Sequence, residues 1–320
     1  MPPVIASWGA GIDSTAMIIE LAYQGAAPDL VLMADTVSEF PQTDNFVPIF
    51  RKWMTAHHIP NHIVRYQPTR LNGLPSYQGL LEYLLATATL PSIAFGRHTC
   101  SLKWKVAPQH TFVRTWQPAL DSWTKNQPVI RLIGYDASPR DTQRYAHAET
   151  HEDSLYFNRY PLREWGWTRP RSAQRILDAG LPLPRKSSCF FCTACKPDEI
   201  RTLPPRNLEL IVLLEAAAAP RLRTIEGLWR KTTLGRGKAQ PRPGSMTQYI
   251  ADHSLLAPER INEIMTDILT SLLQHAQRNA GENRTMAEWL DHHFPRREDP
   301  KEKGRGDGLA KTTPTGRHDP

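Results

Sequence analysis

The sequence lacks any apolar run approaching the roughly 20 residues needed to span a bilayer, which excludes a transmembrane helix. Cysteine is scarce: four in 320 residues. Three of the four crowd into seven positions, so they do not read as a secreted disulfide framework; in a reducing compartment such a run reads as metal or redox chemistry. No basic stretch followed by an apolar one precedes the first strand-like segment, so a cytoplasmic location and no membrane partner are expected. No Gly-Lys-Ser/Thr follows the glycine-bearing turn near the N-terminus, which excludes a Walker A loop. His57-His58, His98 and His292-His293 show no metalloprotease spacing. No cysteine follows Cys195, so the final 125 residues carry no thiol.

The net charge of +7 is unevenly placed. Between Arg159 and Arg242 stand 17 Lys and Arg against 7 Asp and Glu, so the rest of the chain is slightly acidic. Such a block suits a polyanion, either a nucleic acid or a nucleotide phosphate, and equally a solvated basic surface. Trp165 and Trp167 lie inside it, where they can stack on bases or simply pack.

Strand-like and helix-like stretches alternate through the first two-thirds. Strands are expected at Pro3 to Trp8, Asp29 to Ala34, Asn61 to Tyr66 and Val129 to Gly134. Helices are expected at Ser14 to Gln24, Thr43 to His57, Gln78 to Leu85, Lys105 to Trp116, Ser172 to Ala179, Leu208 to Ala218 and Ile261 to Ala276. The alternation predicts an α/β fold, a parallel sheet flanked by helices, with ligands at the carboxyl ends of its strands. After Asp136 the pattern turns irregular. Gly235 to Gly244 reads as a basic, mobile loop, and residues 296–320 as a disordered tail.

Four segments carry chemistry. Ser7-Trp8-Gly9-Ala10-Gly11-Ile12-Asp13-Ser14-Thr15 joins the first strand to the first helix, where unpaired N–H groups and the helix dipole favour an anion. Gly9 and Gly11 permit a tight turn, and Ser7, Ser14 and Thr15 add hydroxyls. The alternative is a plain turn capped by Asp13. Asp35-Thr36-Val37-Ser38-Glu39-Phe40-Pro41-Gln42-Thr43 follows the second strand. Its Asp35 can accept from a ribose or base edge, Glu39 can hold a metal or orient the loop, and Thr43 or Asp44 suits a helix cap. Tyr135-Asp136-Ala137-Ser138-Pro139-Arg140-Asp141-Thr142-Gln143-Arg144 follows the fourth strand. Arg140 and Arg144, one helical turn apart, suit phosphate or sulfate oxygens. Finally, Cys189-Phe190-Phe191-Cys192-Thr193-Ala194-Cys195 joins Cys100 as a set of four thiolates, enough for a tetrahedral zinc or a four-iron cluster. The compact run is more typical of iron–sulfur ligation, and Lys103, Lys186 and Lys196 stand near the thiols in sequence.

The first loop, Ser-x-Gly-x-Gly-x-Asp-Ser-Thr, resembles the PP-loop of the adenine-nucleotide alpha-hydrolase-like superfamily, with one extra residue. Its spelling is similar to the phosphoadenosine phosphosulfate (PAPS) reductase-like branch. The second segment resembles that branch's Asp-Thr-Gly-x-Glu-x-Pro-x-Thr, with Val37 replacing the glycine. Lys186-Ser187-Ser188-Cys189-Phe190-Phe191-Cys192, Cys100 to Lys103 and Tyr160-Pro161-Leu162 resemble segments of phage and bacterial members.

The resemblance implies a Rossmann-like nucleotide-binding domain over residues 1–204, cysteines included, with a helical extension over 205–295. It implies ATP or PAPS with Mg²⁺, and a [4Fe-4S] cluster, with Zn²⁺ as the alternative. Ser7, Gly9, Gly11, Asp13, Ser14, Thr15, Asp35, Glu39, Arg140 and Arg144 would hold the nucleotide, with Asp13, Lys103 and Arg140 acting in catalysis. Cys100, Cys189, Cys192 and Cys195 would hold the metal.

Three functions follow. The first is ATP-dependent adenylation with pyrophosphate release, coupled to sulfur transfer, as in tRNA thiolases and DNA phosphorothioation enzymes. Its partners would be DNA or tRNA and a sulfur donor such as a cysteine desulfurase. The second is PAPS or APS reduction, although the C-terminal cysteine of such reductases is missing. The third is a zinc-stapled nucleotide- or nucleic-acid-binding module without catalysis.

Overall fold

The computed structural model describes residues 1–68, 74–94, 97–149, 153–235, 241–278 and 285–295. The proposed tail at 296–320 and residues 236–240 of the basic loop lie outside them.

Val4–Ser7 (β1) ends in the glycine-bearing loop, and Ile12–Tyr23 (α1) follows. Leu30–Asp35 (β2) leads to Pro41–Ala56 (α2), and Asn61–Arg65 (β3) follows. The long insert holds Leu80–Thr87 (α3), a π-helical segment Leu102–Val106, Ala107–Val113 (α4) and Gln117–Trp123 (α5). Val129–Ile133 (β4), Pro139–Glu149 (α6), Tyr156–Arg159 (β5), Pro161–Glu164 (α7) and Arg169–Asp178 (α8) complete the α/β layer. Pro205–Ala218 (α9), Met246–Asp252 (α10), Pro258–Glu263 (α11), Leu269–Arg278 (α12) and Met286–His293 (α13) follow.

The five strands form one sheet in the order β3-β2-β1-β4-β5, every pair parallel. This is the expected α/β architecture. β1 sends its connection to one side and β4 continues on the other, so the topology switches between them, where α/β sheets leave a crevice at their carboxyl ends. The central strands are apolar on both faces. Ala6, Val31, Met33 and Leu132 pack under α1, α2 and α8. Ile5, Leu30, Leu32, Ala34 and Val64 pack under α4 and α5 with Val113 and Ala119. A strand buried on both faces reads as a continuous apolar run, which is why β2 is so plain in the sequence.

Three local readings change. α2 starts at Pro41, with Phe40 in the cap position and no side-chain cap bond, so neither Thr43 nor Asp44 caps it. Proline pre-sets the first helical φ and needs no N–H there. The helix expected from Lys105 enters instead through the π turn at Leu102–Val106. The irregular stretch after Asp136 contains α6 and the edge strand β5.

Helices α9 to α13 share one apolar core with α3, Trp104 and the cysteine loop; that core runs from Phe40 to Phe294 across residue 204. Its polar anchor is Glu215 on α9, 5% exposed. Its carboxylate accepts from Leu228 N (2.6 Å), Met246 N (2.9 Å), Thr247 N (2.8 Å) and Ser245 Oγ (2.6 Å). Among the described residues no helix is long and apolar enough to cross a membrane.

At the switch point Gly134, just past β4, touches the start of α1. A methyl there would lie 2.8 Å from the Ser14 backbone N and Cα. Backbone cannot yield as a flexible side chain can, so Gly134→Ala is expected to cost about 2 to 3 kcal/mol. Urea unfolding checks this; an unchanged midpoint would show that α1 is free to shift.

Candidate functional site

β1 delivers the chain to the crevice, where Ala10 turns it with a left-handed φ of 54°. Ala10 is fully buried. Gly9 N–H donates to Ser14 Oγ (3.2 Å), closing the loop onto the first turn of α1. Trp8 Nε1 donates to Thr15 Oγ1 (3.0 Å) in the core beneath. The loop is therefore tied down from below, and the start of α1 is left facing the crevice.

That crevice is one cavity of about 560 Å³. Gly9, Gly11, Asp13, Ser14, Arg140 and Arg144 line it at one end, and Cys100, Cys189 and Cys192 line it as well. Residues from every one of the four sequence segments thus meet. Two of those segments are directly joined: Phe40 N–H donates to Ser188 O (3.0 Å) and Phe190 N–H to Ser38 O (3.1 Å), so the loop after β2 pairs with the cysteine loop. Val37, where the resembling pattern has glycine, takes φ 57°, and its N–H reaches Asp35 Oδ1 (2.7 Å). A β-branched residue in that region is strained.

The glycine-loop end is rich in both charges. Asp13 Oδ2 lies 3.6 Å from Arg169 Nη1, while its Oδ1 is buried without a hydrogen bond. Burial is the main cause that pushes the Asp13 carboxyl up to about 6. Asp136 and Asp141 add to the rise, and Arg169 and Arg140 oppose it. Asp136 accepts from Ser138 N (3.0 Å) and from the Ser138 hydroxyl, and Asp141 pairs with Arg144 (3.4 Å).

The folded chain therefore holds the Asp13 proton more tightly than the unfolded one, and stability falls as pH rises from about 4 to about 6. Asp13→Asn is expected to raise the melting midpoint at pH 8 by about 2 °C. At pH 3, where Asp13 carries its proton in the folded and the unfolded chain alike, the two chains should melt together. A gap of equal size at both pH values would remove burial as the cause.

At the thiol end, Cys100 and Cys192 are half-buried and Cys189 is buried. Cys189 Sγ is 3.3 Å from Thr36 Oγ1, and Thr36 Oγ1 also donates to Glu39 Oε1 (3.1 Å). Glu39, 4% exposed, receives Lys105 Nζ at 2.8 Å and Ser187 Oγ at 3.5 Å. Burial pulls the Lys105 pKa down, but Glu39, Cys189 and Cys192 outweigh it and leave it raised. Burial pushes Cys189 well up, with Glu39 adding to the rise and Lys105 opposing it. Cys100 is raised by burial and by Cys192. A thiol of raised pKa must lose its proton before it can ligate a metal.

Not every expected residue reaches the cavity. Cys195 is buried behind it, with Sγ turned to the carbonyls of Cys189 (3.7 Å) and Phe190 (3.8 Å); burial pushes it up to about 12. Lys103 points away, its Nζ 3.9 Å from the centre of the Tyr83 ring and 5.1 Å from that of Tyr66. Thr15 is a core residue. Ser7 lies within the sheet, paired with Leu32 and Ile133. Asp35 pairs with Arg65 (2.8 Å), and Glu39 does not line the cavity but reaches it through its partners Lys105, Thr36 and Ser187. Trp165 and Trp167 pack against the core under α1.

Conversely, Lys105, Thr36, Gly134 and Arg169 line the cavity without having been singled out. Lys105 could have been found only by knowing of the π turn. It stands five residues after Cys100, and that spacing shares a face in a π-helix rather than an α-helix. Arg169 had a signal in Thr168-Arg169-Pro170, where a threonine at the cap position and a proline in the first turn mark a helix start.

No protein-family model matches the sequence, and no curated protein matches it significantly. Among solved structures, the chain is similar to the phosphoadenylyl-sulfate (PAPS) reductase from Candida auris in its phosphate complex. The identity is 16%, covering 57% of this chain and 76% of that one, with a TM-score of 0.36. It is also similar to the U34-tRNA thiolase NcsA from Methanococcus maripaludis with its [4Fe-4S] cluster, at 11% identity over 89% of this chain and 77% of that one, with a TM-score of 0.37. What the chain does has to be read from its own cavity.

Proposed function

We propose that the chain is a PP-loop enzyme of the PAPS reductase-like kind. It binds ATP at the start of α1, adenylates an acceptor with release of pyrophosphate, and delivers sulfide-level sulfur from a sulfur donor at the thiol end of the same cavity, which displaces AMP from the acceptor. The acceptor is a nucleic acid, to which the basic block after Arg159 would be drawn. The observation that carries this reading is the single cavity shared by the phosphate loop and three cysteines. A binding module stapled by zinc needs no such shared space.

The donor set was weighed against the groups it would hold. Asp13 Oδ1, buried without a partner, fits a Mg²⁺ accompanying the nucleotide. Among the described residues no three His, Cys, Asp or Glu side chains form a ready cage for a single ion. Cys100, Cys189 and Cys192 nonetheless line one cavity, and a cluster takes its thiolates at separate corners, farther apart than the ligands of one ion. Those three residues would hold a [4Fe-4S] cluster, which when bound supplies an iron site for sulfur. Cys195 would stay outside it.

The remaining chemistry belongs to the chain's own groups. Unpaired N–H groups at the start of α1 and the Ser14 hydroxyl hold phosphate oxygens. Attack of the acceptor oxygen on the α-phosphorus breaks the bond to pyrophosphate. The charge growing on that leaving group is met by the helix start and by Arg140 and Arg144. Lys105, fixed by Glu39, keeps a cation between phosphate and thiols. The reductive alternative needs an accessible C-terminal thiol, and the last cysteine, Cys195, is buried against carbonyls.

Two measurements test the reading. Wild-type protein prepared without oxygen should carry iron and acid-labile sulfide and should catalyse ATP–pyrophosphate exchange. Cys189→Ser should lose the iron, and Cys195→Ser should keep it. Zinc alone, with no exchange, would overturn the proposal in favour of a structural staple.

A further inference from the structure

We infer that Arg169 is a nucleotide-phosphate ligand, held at rest by Asp13 and handed to the polyphosphate when the nucleotide enters. This rests on the nucleotide reading above and adds a residue to it.

The argument starts from how α8 lies against α1. Arg169 reaches Asp13 and Arg175 reaches Glu20. Their spacings, six residues on one helix and seven on the other, require the two helices to run parallel. Both therefore begin at the same end, and Thr168, Arg169 and Pro170 line the cavity beside Gly11 and Asp13.

The two ion pairs differ in kind. Arg175 Nε sits 2.6 Å from Glu20 Oε2, an ion contact without hydrogen-bond alignment, with the arginine side chain 21% exposed, and Ser172 and Ile176 beside it are fully buried. That end is the clamp between the helices. Arg169 is 3.6 Å from Asp13 and 41% exposed. The other Asp13 oxygen has no hydrogen bond at all. A clamp has no need of a loose guanidinium facing an open cavity.

Charge gives the pair a purpose. Asp13 stands with Asp136 and Asp141, and facing them are Arg140, Arg144 and Arg169. Arg144 already pairs with Asp141. An entering polyphosphate would meet the Asp13 carboxylate unless a cation comes between them. Arg169 can exchange a distant carboxylate oxygen for a bidentate grip on phosphate oxygens, for which its planar fork is suited. Asp13 is then free to face the Mg²⁺ that travels with the nucleotide.

The test is calorimetric titration of MgATP into the full-length wild type, Arg169→Met, Arg169→Lys and Arg175→Met. Arg169→Met is expected to weaken MgATP by about 10- to 100-fold, the size of a lost charged hydrogen-bond pair. Arg169→Lys should recover only part of this, because an ammonium cannot make the paired contact. Arg175→Met should lower the melting midpoint yet leave MgATP affinity within about twofold. The inference is overturned if Arg169→Met binds MgATP as the wild type does. It is equally overturned if Arg175→Met weakens binding as much, since both arginines would then act only through helix packing. A wild type that binds no MgATP overturns the nucleotide reading itself, and this inference with it.

Discussion

Glu215→Ala is expected to destabilise the folded chain by about 4 kcal/mol, a large part of the 5–15 kcal/mol available to a typical domain. Alanine would leave the buried backbone N–H groups of Leu228 and Met246, and the half-buried one of Thr247, without an acceptor. Each unsatisfied buried donor costs about 1 to 3 kcal/mol, and some relaxation toward water is expected. Met246 and Thr247 open α10, so the carboxylate also sits at the positive end of that helix.

Glu215→Gln separates shape from charge. Its amide oxygen can replace one carboxylate oxygen, but its NH₂ must then face a donor. If the oxygen serves Leu228 and Met246, the Ser245 hydroxyl can turn to accept from the amide, whereas the Thr247 N–H cannot. About half the loss of the alanine variant is therefore expected. Urea unfolding followed by tryptophan fluorescence reads both. Equal losses in the two variants would show that charge rather than donor satisfaction holds this region.

The contrast between Glu215 and β2 shows what a sequence makes visible. The run Leu-Val-Leu-Met-Ala-Asp declares a buried parallel strand because every position is apolar until the strand end. Glu215 sits in an apolar helix and reads as one exposed charge; only the return of Leu228 and of the segment 245–247 shows that it is buried. Edge strand β5 was hidden for a related reason. It is four residues long, and Asn158 and Arg159 interrupt any apolar pattern, since an edge strand has one side free of the sheet.

The site was legible where local geometry sets the chemistry. Gly9, Gly11, Asp13, Ser14, Arg140 and Arg144 lie at strand ends, and strand ends in a parallel sheet gather at one crevice. It was illegible where rotation decides. Cys189, Cys192 and Cys195 look equivalent at a three-residue repeat, yet successive turns, closed by Cys192 N–H to Cys189 O and Cys195 N–H to Cys192 O, carry the last thiol inward. Lys103 and Lys105 are two residues apart on a turn of unusual pitch, and that turn sends Lys103 to the tyrosines and Lys105 to the cavity.

Lys105→Met is the change expected to damage the thiol end most. Glu39 has a side chain only 1% exposed, and Lys105 at 2.8 Å is the cation paired with it. Methionine keeps much of the lysine's apolar length but leaves a buried carboxylate with only the hydroxyls of Thr36 and Ser187. Breaking one side of a buried ion pair costs about 3 to 5 kcal/mol. Removing both charges is far milder, because no bare carboxylate remains. Glu39→Gln combined with Lys105→Met should therefore be more stable than Lys105→Met alone, by about 2 kcal/mol, and a double-mutant cycle in urea measures the coupling directly. The double variant should still lose function, because it restores neutrality without restoring a cation beside Cys189. If both variants unfold at the same urea concentration, Lys105 carries no charge that the fold depends on, and Glu39 is satisfied by hydroxyls alone. If the double variant regains wild-type exchange activity as well as stability, the ammonium is structural and the link it makes between phosphate loop and thiols has no chemical role.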